Sequence, residues 1–170
     1  MRHYLEVAVA ILLSGSVMFA APITFTGVFS GANENPATGS PGTGTAMVTL
    51  DPTTHSLVVD AVFSNLFTTT PTGAPSGTTA AHIHCCFAPP GNVGVATTVP
   101  TFPGFPPDVT SGTYHQSFDL LSAGSYNPAF INANGGTVGA ADAVLESGLL
   151  NRMTYLNILS FSQIPICLIH

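Results

Sequence analysis

Two histidines separated by one residue, His82 and His84, are the side chains of this sequence best suited to chemistry. Residues two apart on a β-strand project from the same face, so both imidazoles are expected on one side. Neutral imidazole is a good ligand for Cu or Zn, which makes the pair a candidate metal site. A closed site needs about four ligands, and the pair supplies only part of them. The competing interpretation is structural, with the rings stabilising the following loop through hydrogen bonds.

Two cysteines, Cys85 and Cys86, follow the pair directly, and Cys167 is the third cysteine of the chain. In an exported protein, oxidation is expected. The residues allow several arrangements: a disulfide between the neighbours, which strains the intervening peptide, ligation of a metal beside the histidines, a bond to Cys167, or the reduced state. Packing of one cysteine in the core is equally compatible. With an odd number, at least one cysteine lacks a cysteine partner.

Composition and motifs argue against several classes of function. The chain has eight acidic residues, two arginines and no lysine, with a formal charge of -6, and the acids are scattered singly. A nucleic-acid partner is therefore not expected. There is no Gly-x-Ser-x-Gly nucleophile motif, and the glycines of residues 39–44 have no lysine beside them and no helix after them. We predict no catalytic residues and no enzymatic activity.

Short runs of alternating apolar and polar residues predict the elements that must position the histidines. The clearest is a hairpin in which residues 45–51 and 56–63 each place apolar side chains on one face, with a turn at residues 51–55. Further strands are predicted near residues 23–29, 80–86, 93–99, 112–120 and 154–158. One helix is predicted over residues 139–150, with Asp142 near its start. This pattern predicts an all-β fold, an antiparallel Greek-key-like sandwich or barrel with one inserted short helix.

The first residues of the chain have the layout of a secretory signal. Arg2 precedes an apolar run over residues 7–17, and Ala20 and Ala21 follow. The run is short for a membrane span of about 20 residues, although Glu6 leaves an uncleaved anchor as the alternative. We expect a signal peptide over residues 1–21, one domain over residues 22–170 and no membrane span after cleavage. The expected location is secreted or cell surface.

Five short motifs occur in the same order as in the CHRD domain, named after chordin, and the chain resembles that family from about Phe25 to Ile158. The cysteine pair, residues 125–137 and the helix are similar to its exported bacterial branch. The resemblance implies a β-sandwich domain of extracellular or surface proteins that is not known as a catalytic class. The motifs are Gly-Ala-Asn-Glu-Asn-Pro at 31–36, Gly-Thr-Gly-Thr-Ala at 42–46, Leu-Asp at 50–51, Ala-His-Ile-His at 81–84 and Tyr-Leu-Asn-Ile at 155–158.

The end of the chain departs from the family pattern. Family members usually place a histidine after Asn-Ile, whereas here Leu159 follows Ile158, so a third potential ligand is missing. The family's Gly-Glu-Ile-Arg stretch is missing too, and Pro165 disfavours a regular ladder in the residues that replace it. We therefore expect the last ten residues to pack poorly. If the closing strand is missing, a neighbouring strand is left as an unpaired edge; the alternative is that residues 161–169 still pair as a strand.

These observations favour an exported, non-enzymatic domain with a structural or binding role, whose partner is an extracellular protein or matrix component. The alternative is a metal-binding protein. Its His-Ile-His resembles the copper-binding strand of copper-zinc superoxide dismutases, which have a Greek-key β-barrel, and that likeness implies an oxidoreductase using His82 and His84. Only His55 and His115 are left between Phe25 and Ile158 as further imidazole ligands.

Overall fold

Nine strands and two α-helices form the part of the chain that the computed structural model describes, which is residues 20–66, 68–69, 75–160 and 166–169. Two short 3-10 helices, Gly31–Asn33 and Ala123–Ser125, lie in the connections. The helices are α1 (Pro128–Ala133) and α2 (Val138–Leu150). The strands are β1 (Ile23–Ser30), β2 (Thr43–Asp51), β3 (Ser56–Ser64), β4 (Thr68–Thr69), β5 (Pro75–Ser76), β6 (Thr78–Cys85), β7 (Gly112–Asp119), β8 (Thr154–Ser160) and β9 (Ile166–Ile169).

Seven of the strands form one antiparallel sheet in the order β6-β8-β9-β1-β2-β3-β7, and β4 pairs with β5. The predicted all-β class with a helical insertion is confirmed, and α1 is a further short helix that the sequence did not indicate. The predicted hairpin is β2 and β3, in which Leu50 pairs with Leu57 and Val48 with Val59, all four at most 1% exposed. The period-two pattern therefore marks the side of the sheet that forms the core.

The two edge strands of the sheet, β6 and β7, both contact the segment that connects them in the sequence. From this segment, the Phe102 amide donates to the Ala81 carbonyl of β6 at 3.0 Å, and the Pro103 carbonyl accepts from the Tyr114 hydroxyl of β7 at 3.0 Å. The Phe102 ring is buried and stacks on Tyr114, with centroids 5.6 Å apart. The segment thus links the two edges of the sheet into a barrel-like fold with aromatic side chains in its interior.

The strand predicted at residues 93–99 is wrong. The segment lies beside β6 but forms only isolated bridges, His84 with Val95 and Thr97 with Tyr126. The reason is local: the Thr97 hydroxyl accepts the Ile83 amide at 2.9 Å, so a side chain takes the place of a backbone acceptor in the ladder. The segment is extended but irregular.

Helix α2 lies within one residue of its predicted bounds. It begins after Thr137, whose side chain accepts from the Ala140 amide, and it buries Leu145 and Leu149 completely. Asp142, expected near its start, is also buried, at 3% exposure. The helix therefore brings one carboxylate into the protein interior.

The expectation of an unpaired edge beside the end of the chain is wrong. Strand β9 pairs with β8, where Leu168 lies opposite Leu156, and with β1, where Leu168 lies opposite Phe29. Strand β9 begins at Ile166, and the expectation that the last ten residues pack poorly falls largely outside the described residues. Strand β9, whose sequence departs from the family pattern, thus lies inside the sheet between β8 and β1.

The expected signal peptide falls almost entirely on residues 1–19, outside the described residues. Among the described residues, no helix combines the length and apolar character that crossing a membrane requires.

Candidate functional site

The histidine pair lies on β6 and faces the neighbouring strand β8. In the register of the two strands, Asn157 is opposite His82 and Tyr155 is opposite His84. Directly paired residues share a face of the sheet, so the four side chains lie together. The His82 and His84 ring centroids are 6.2 Å apart, and the His84 ring stacks on Tyr155 at 4.6 Å.

A backbone carbonyl fixes the orientation of each imidazole. His82 Nε2 donates to the Pro100 carbonyl at 2.8 Å, and His84 Nδ1 donates to the Val93 carbonyl at 2.7 Å. In each neutral ring the other nitrogen then carries a lone pair. Those nitrogens, His82 Nδ1 and His84 Nε2, are buried and have no hydrogen-bond partner among the described residues. Histidine ligands of metals are commonly held in this way, with one nitrogen anchored and the other free.

Burial keeps both rings neutral. It lowers the pKa of His82, against a smaller opposite effect of the hydrogen bond to Pro100. Burial likewise lowers the pKa of His84, where the Val93 carbonyl raises it and the neighbouring His82 lowers it. Because the proton is disfavoured in the folded state, the imidazoles are in the form that binds metals at neutral pH.

The remaining side chains on this face are uncharged. Asn157 is 7% exposed, and its Oδ1 atom is also buried without a hydrogen-bond donor among the described residues. Leu159 pairs with Ala80 one step further along the strands, so it lies on the same face as the histidines. The family's usual histidine would therefore face the pair, and here an apolar side chain occupies that position.

The spacing of the rings limits which ion they can share. Metal-to-nitrogen bonds of about 2.0–2.1 Å place each ring centroid about 3.2 Å from the ion. Two rings then lie about 5.2 Å apart at a tetrahedral angle and about 6.4 Å apart in a linear arrangement. The observed 6.2 Å fits a wide nitrogen-metal-nitrogen angle. An ion shared by the two rings at this spacing would have such a wide angle, and tetrahedral Zn(II) would require the rings to move closer.

The loop that anchors His84 is held by the first of the family-like motifs, residues 31–36. Asn35 Nδ2 donates to the Pro90 carbonyl at 2.6 Å, and Asn92 Nδ2 donates back to the Asn35 carbonyl at 2.7 Å. The Val93 amide lies 3.3 Å from the Tyr155 hydroxyl. Residues 31–36 therefore hold the loop that contains Val93. The Val93 carbonyl in turn orients the His84 ring, so two motifs that are distant in the sequence act together.

Glu34 of the same motif is a residue that the sequence analysis did not single out. It lines a small cleft with Pro90 and Tyr155, and its Oε1 atom is buried without a hydrogen-bond donor among the described residues. Burial raises its pKa from 4.5 to about 7. The motif was visible in the sequence, but its approach to the histidine loop depends on pairing between distant strands.

The cysteines lie away from the histidine nitrogens. Cys85 and Cys86 form a disulfide with each other. Cys85 alternates with His84 on β6 and so lies on the opposite face, against Gly148 of α2. Of the arrangements that the sequence allowed, the structure has the bond between neighbours, and it does not place these sulfurs beside the histidines.

The other two histidines among the described residues have partners elsewhere. His115 Nδ1 lies 2.6 Å from Asp60 Oδ1 on the exposed face of β3 and β7. His55 Nδ1 lies 2.7 Å from Asp142 Oδ2, at the junction of the β2–β3 turn and α2. Neither joins His82 and His84, so the set of ligands needed for a superoxide dismutase-like centre is not assembled from these residues.

The protein is thus an antiparallel β-domain with a helical insertion. On an edge strand it carries a buried His-x-His pair, and a backbone carbonyl orients each of the two imidazoles. Residues 25–161 match the family model of the CHRD domain, so the chain belongs to the CHRD domain family. No curated protein matches the chain, and no solved structure matches it either.

Proposed function

We propose that this CHRD-domain protein is exported and has a non-enzymatic binding role at the cell surface or outside the cell, with His82 and His84 as a site for copper or zinc. One observation carries the proposal: two neutral imidazoles are fixed by carbonyls, and their free nitrogens are buried without partners. A buried acceptor without a donor is costly, and a bound cation removes that cost. The macromolecular partner is proposed to be an extracellular protein or matrix component.

Burial of the pair supports binding rather than turnover. His82 is 5% exposed, so an ion held there has little contact with solvent. Catalysis by a metal requires an open coordination position that substrate can reach. A shielded ion instead stabilises the junction of β6, β8 and the 93–100 segment.

We predict weak binding of Cu(II) or Zn(II) to this pair, with copper favoured, because the rings are spaced for a wide angle and supply two ligands. Calorimetric titration of the metal-free mature protein measures it. His82→Ala should remove the part of the copper signal that comes from this pair, whereas Leu159→His should strengthen that part by placing a third imidazole on the same face. Titration curves unchanged by His82→Ala would reject the pair as the site. Superoxide dismutation by the copper-loaded protein, lost in His82→Ala, would replace the binding role with the enzymatic alternative.

We also predict that export removes about twenty residues, so that the mature chain begins near Ala21 or Pro22. The apolar run over residues 7–17, with Arg2 before it and two alanines after it, supports this. Intact-mass measurement of secreted material identifies the first residue. Detection of Met1 on the secreted chain would contradict the prediction.

A further inference from the structure

A second group of ligand-type side chains lies where the β2–β3 turn meets α2. His55 Nδ1 is 2.7 Å from Asp142 Oδ2 and 3.6 Å from Glu146 Oε1. One ligand atom from each of the three residues lies within 4.8 Å of the others. Asp142 and Glu146 are four residues apart, so they share one face of α2. Hairpin and helix therefore bring together three residues that are far apart in the sequence.

The carboxylates of this cluster lack enough hydrogen-bond donors. The Asp142 side chain is 4% exposed and that of Glu146 is 18% exposed. Asp142 Oδ1 and Glu146 Oε1 are buried and accept no hydrogen bond from the described residues. The Tyr126 hydroxyl lies close enough to interact with Asp142, but it donates its best-aligned hydrogen bond to the Leu120 carbonyl at 2.9 Å. A buried and a partly buried carboxylate one helical turn apart repel each other, and the single imidazole of His55 cannot neutralise both.

The chain itself has almost no cations to neutralise this charge. It contains two arginines and no lysine, and one of the arginines, Arg2, lies in the expected signal peptide. The other, Arg152, follows the far end of α2. His55, at 40% side-chain exposure, can compensate one carboxylate when protonated, but not both. The missing positive charge is best supplied from outside the chain.

We propose that His55, Asp142 and Glu146 bind a divalent transition-metal ion, with Zn²⁺ as the best fit. An imidazole nitrogen and carboxylate oxygens are ligand types that zinc accepts, and three of them leave the fourth position of a tetrahedral site for water. The exposed side of His55 gives water access to that position. Ca²⁺ and Mg²⁺ prefer all-oxygen sites, so the imidazole favours zinc over them. In the metal-bound form the His55 ring is neutral, with its proton on Nε2 and the lone pair of Nδ1 directed at the ion.

This site is separate from the histidine pair and does not rest on the function proposed for it. The test therefore uses the mature protein with His82→Ala and His84→Ala, stripped of metal, so that zinc bound at the pair is not counted. Titration with Zn²⁺ should give one ion per chain and raise the melting temperature by several degrees, because the ion binds only the folded chain. Glu146→Gln and His55→Asn should each weaken zinc binding tenfold or more.

His55→Asn keeps the test decisive if the buried Glu146→Gln variant does not fold. His55 lies in a turn with a left-handed backbone (φ 51°), a conformation that asparagine adopts readily. The matched control is Asp60→Asn, which removes the carboxylate of the exposed His115–Asp60 pair and should leave zinc binding unchanged. Absence of a one-to-one zinc complex, or equal zinc affinity in the parent and His55→Asn, overturns the proposal.

Discussion

Phe102→Ala should lower the free energy of unfolding by about 3–5 kcal/mol, the usual cost of removing a buried phenylalanine ring. Phe102 is 1% exposed and packs on Tyr114 and Phe118, with centroids 5.6 and 5.2 Å away. Its backbone amide also binds β6. The substitution leaves a cavity at the place where the segment between β6 and β7 closes the barrel. The surrounding sheet is paired on both sides and cannot collapse into that space.

Urea unfolding of the mature protein measures this effect, and Phe87→Ala is the matched control. Phe87 is the same residue type at 58% exposure, so its removal should change the free energy of unfolding by no more than about 0.5 kcal/mol. Equal destabilisation by the two substitutions would show that Phe102 is not part of the closed core. Similar denaturant slopes for parent and variants are needed to compare the values.

Gly148→Ala should destabilise the protein by about 1–3 kcal/mol, although alanine favours a helix over glycine by up to about 1 kcal/mol. A Cβ atom at this position of α2 would overlap Cys85 Sγ, would lie 2.9 Å from Cys86 Sγ and would lie 3.3 Å from Thr154 Cγ2. The disulfide and β8 are rigid neighbours. The helix would therefore have to move away from the sheet.

Gly139 gives an internal comparison within the same helix. Nothing lies within 4 Å of a Cβ atom built there, so Gly139→Ala should gain helix propensity and stabilise the protein by up to about 1 kcal/mol. Thermal melts of the two variants should thus shift in opposite directions. A higher melting temperature for Gly148→Ala would mean that α2 does not pack closely on the disulfide.

The local elements of the fold could be predicted from the sequence. The alternation in β2 and β3 marks the core side chains correctly, and the predicted helix agrees with Val138–Leu150. The prediction of a strand at residues 93–99 was wrong although the alternating pattern is present. The Thr97 hydroxyl, and not a backbone carbonyl, accepts the hydrogen bond from the Ile83 amide, so no regular ladder forms. Strand β9 was considered only as the alternative for the end of the chain, because its place between β8 and β1 depends on pairing that no local pattern encodes.

For the candidate sites too, local spacing could be predicted from the sequence, whereas contacts between distant segments could not. Period two alone places His82 and His84 on one face of a strand, and the structure agrees. The carbonyls of Val93 and Pro100, which set the free nitrogen of each ring, come from a loop whose position only the folded chain defines. His55 and Asp142 are 87 positions apart, so neither residue indicates the other in the sequence.

The position of β9 has a consequence for the order in which the protein folds. In the described sheet, β9 is the strand that joins β8 to β1, so the last strand of the chain meets the first. Such long-range pairing is slow, because a long loop must close before any contact compensates for the lost entropy. Until β9 has been synthesised, β1 has no partner strand on the side opposite β2. The chain should accordingly stay incompletely folded until its C-terminal residues have been synthesised.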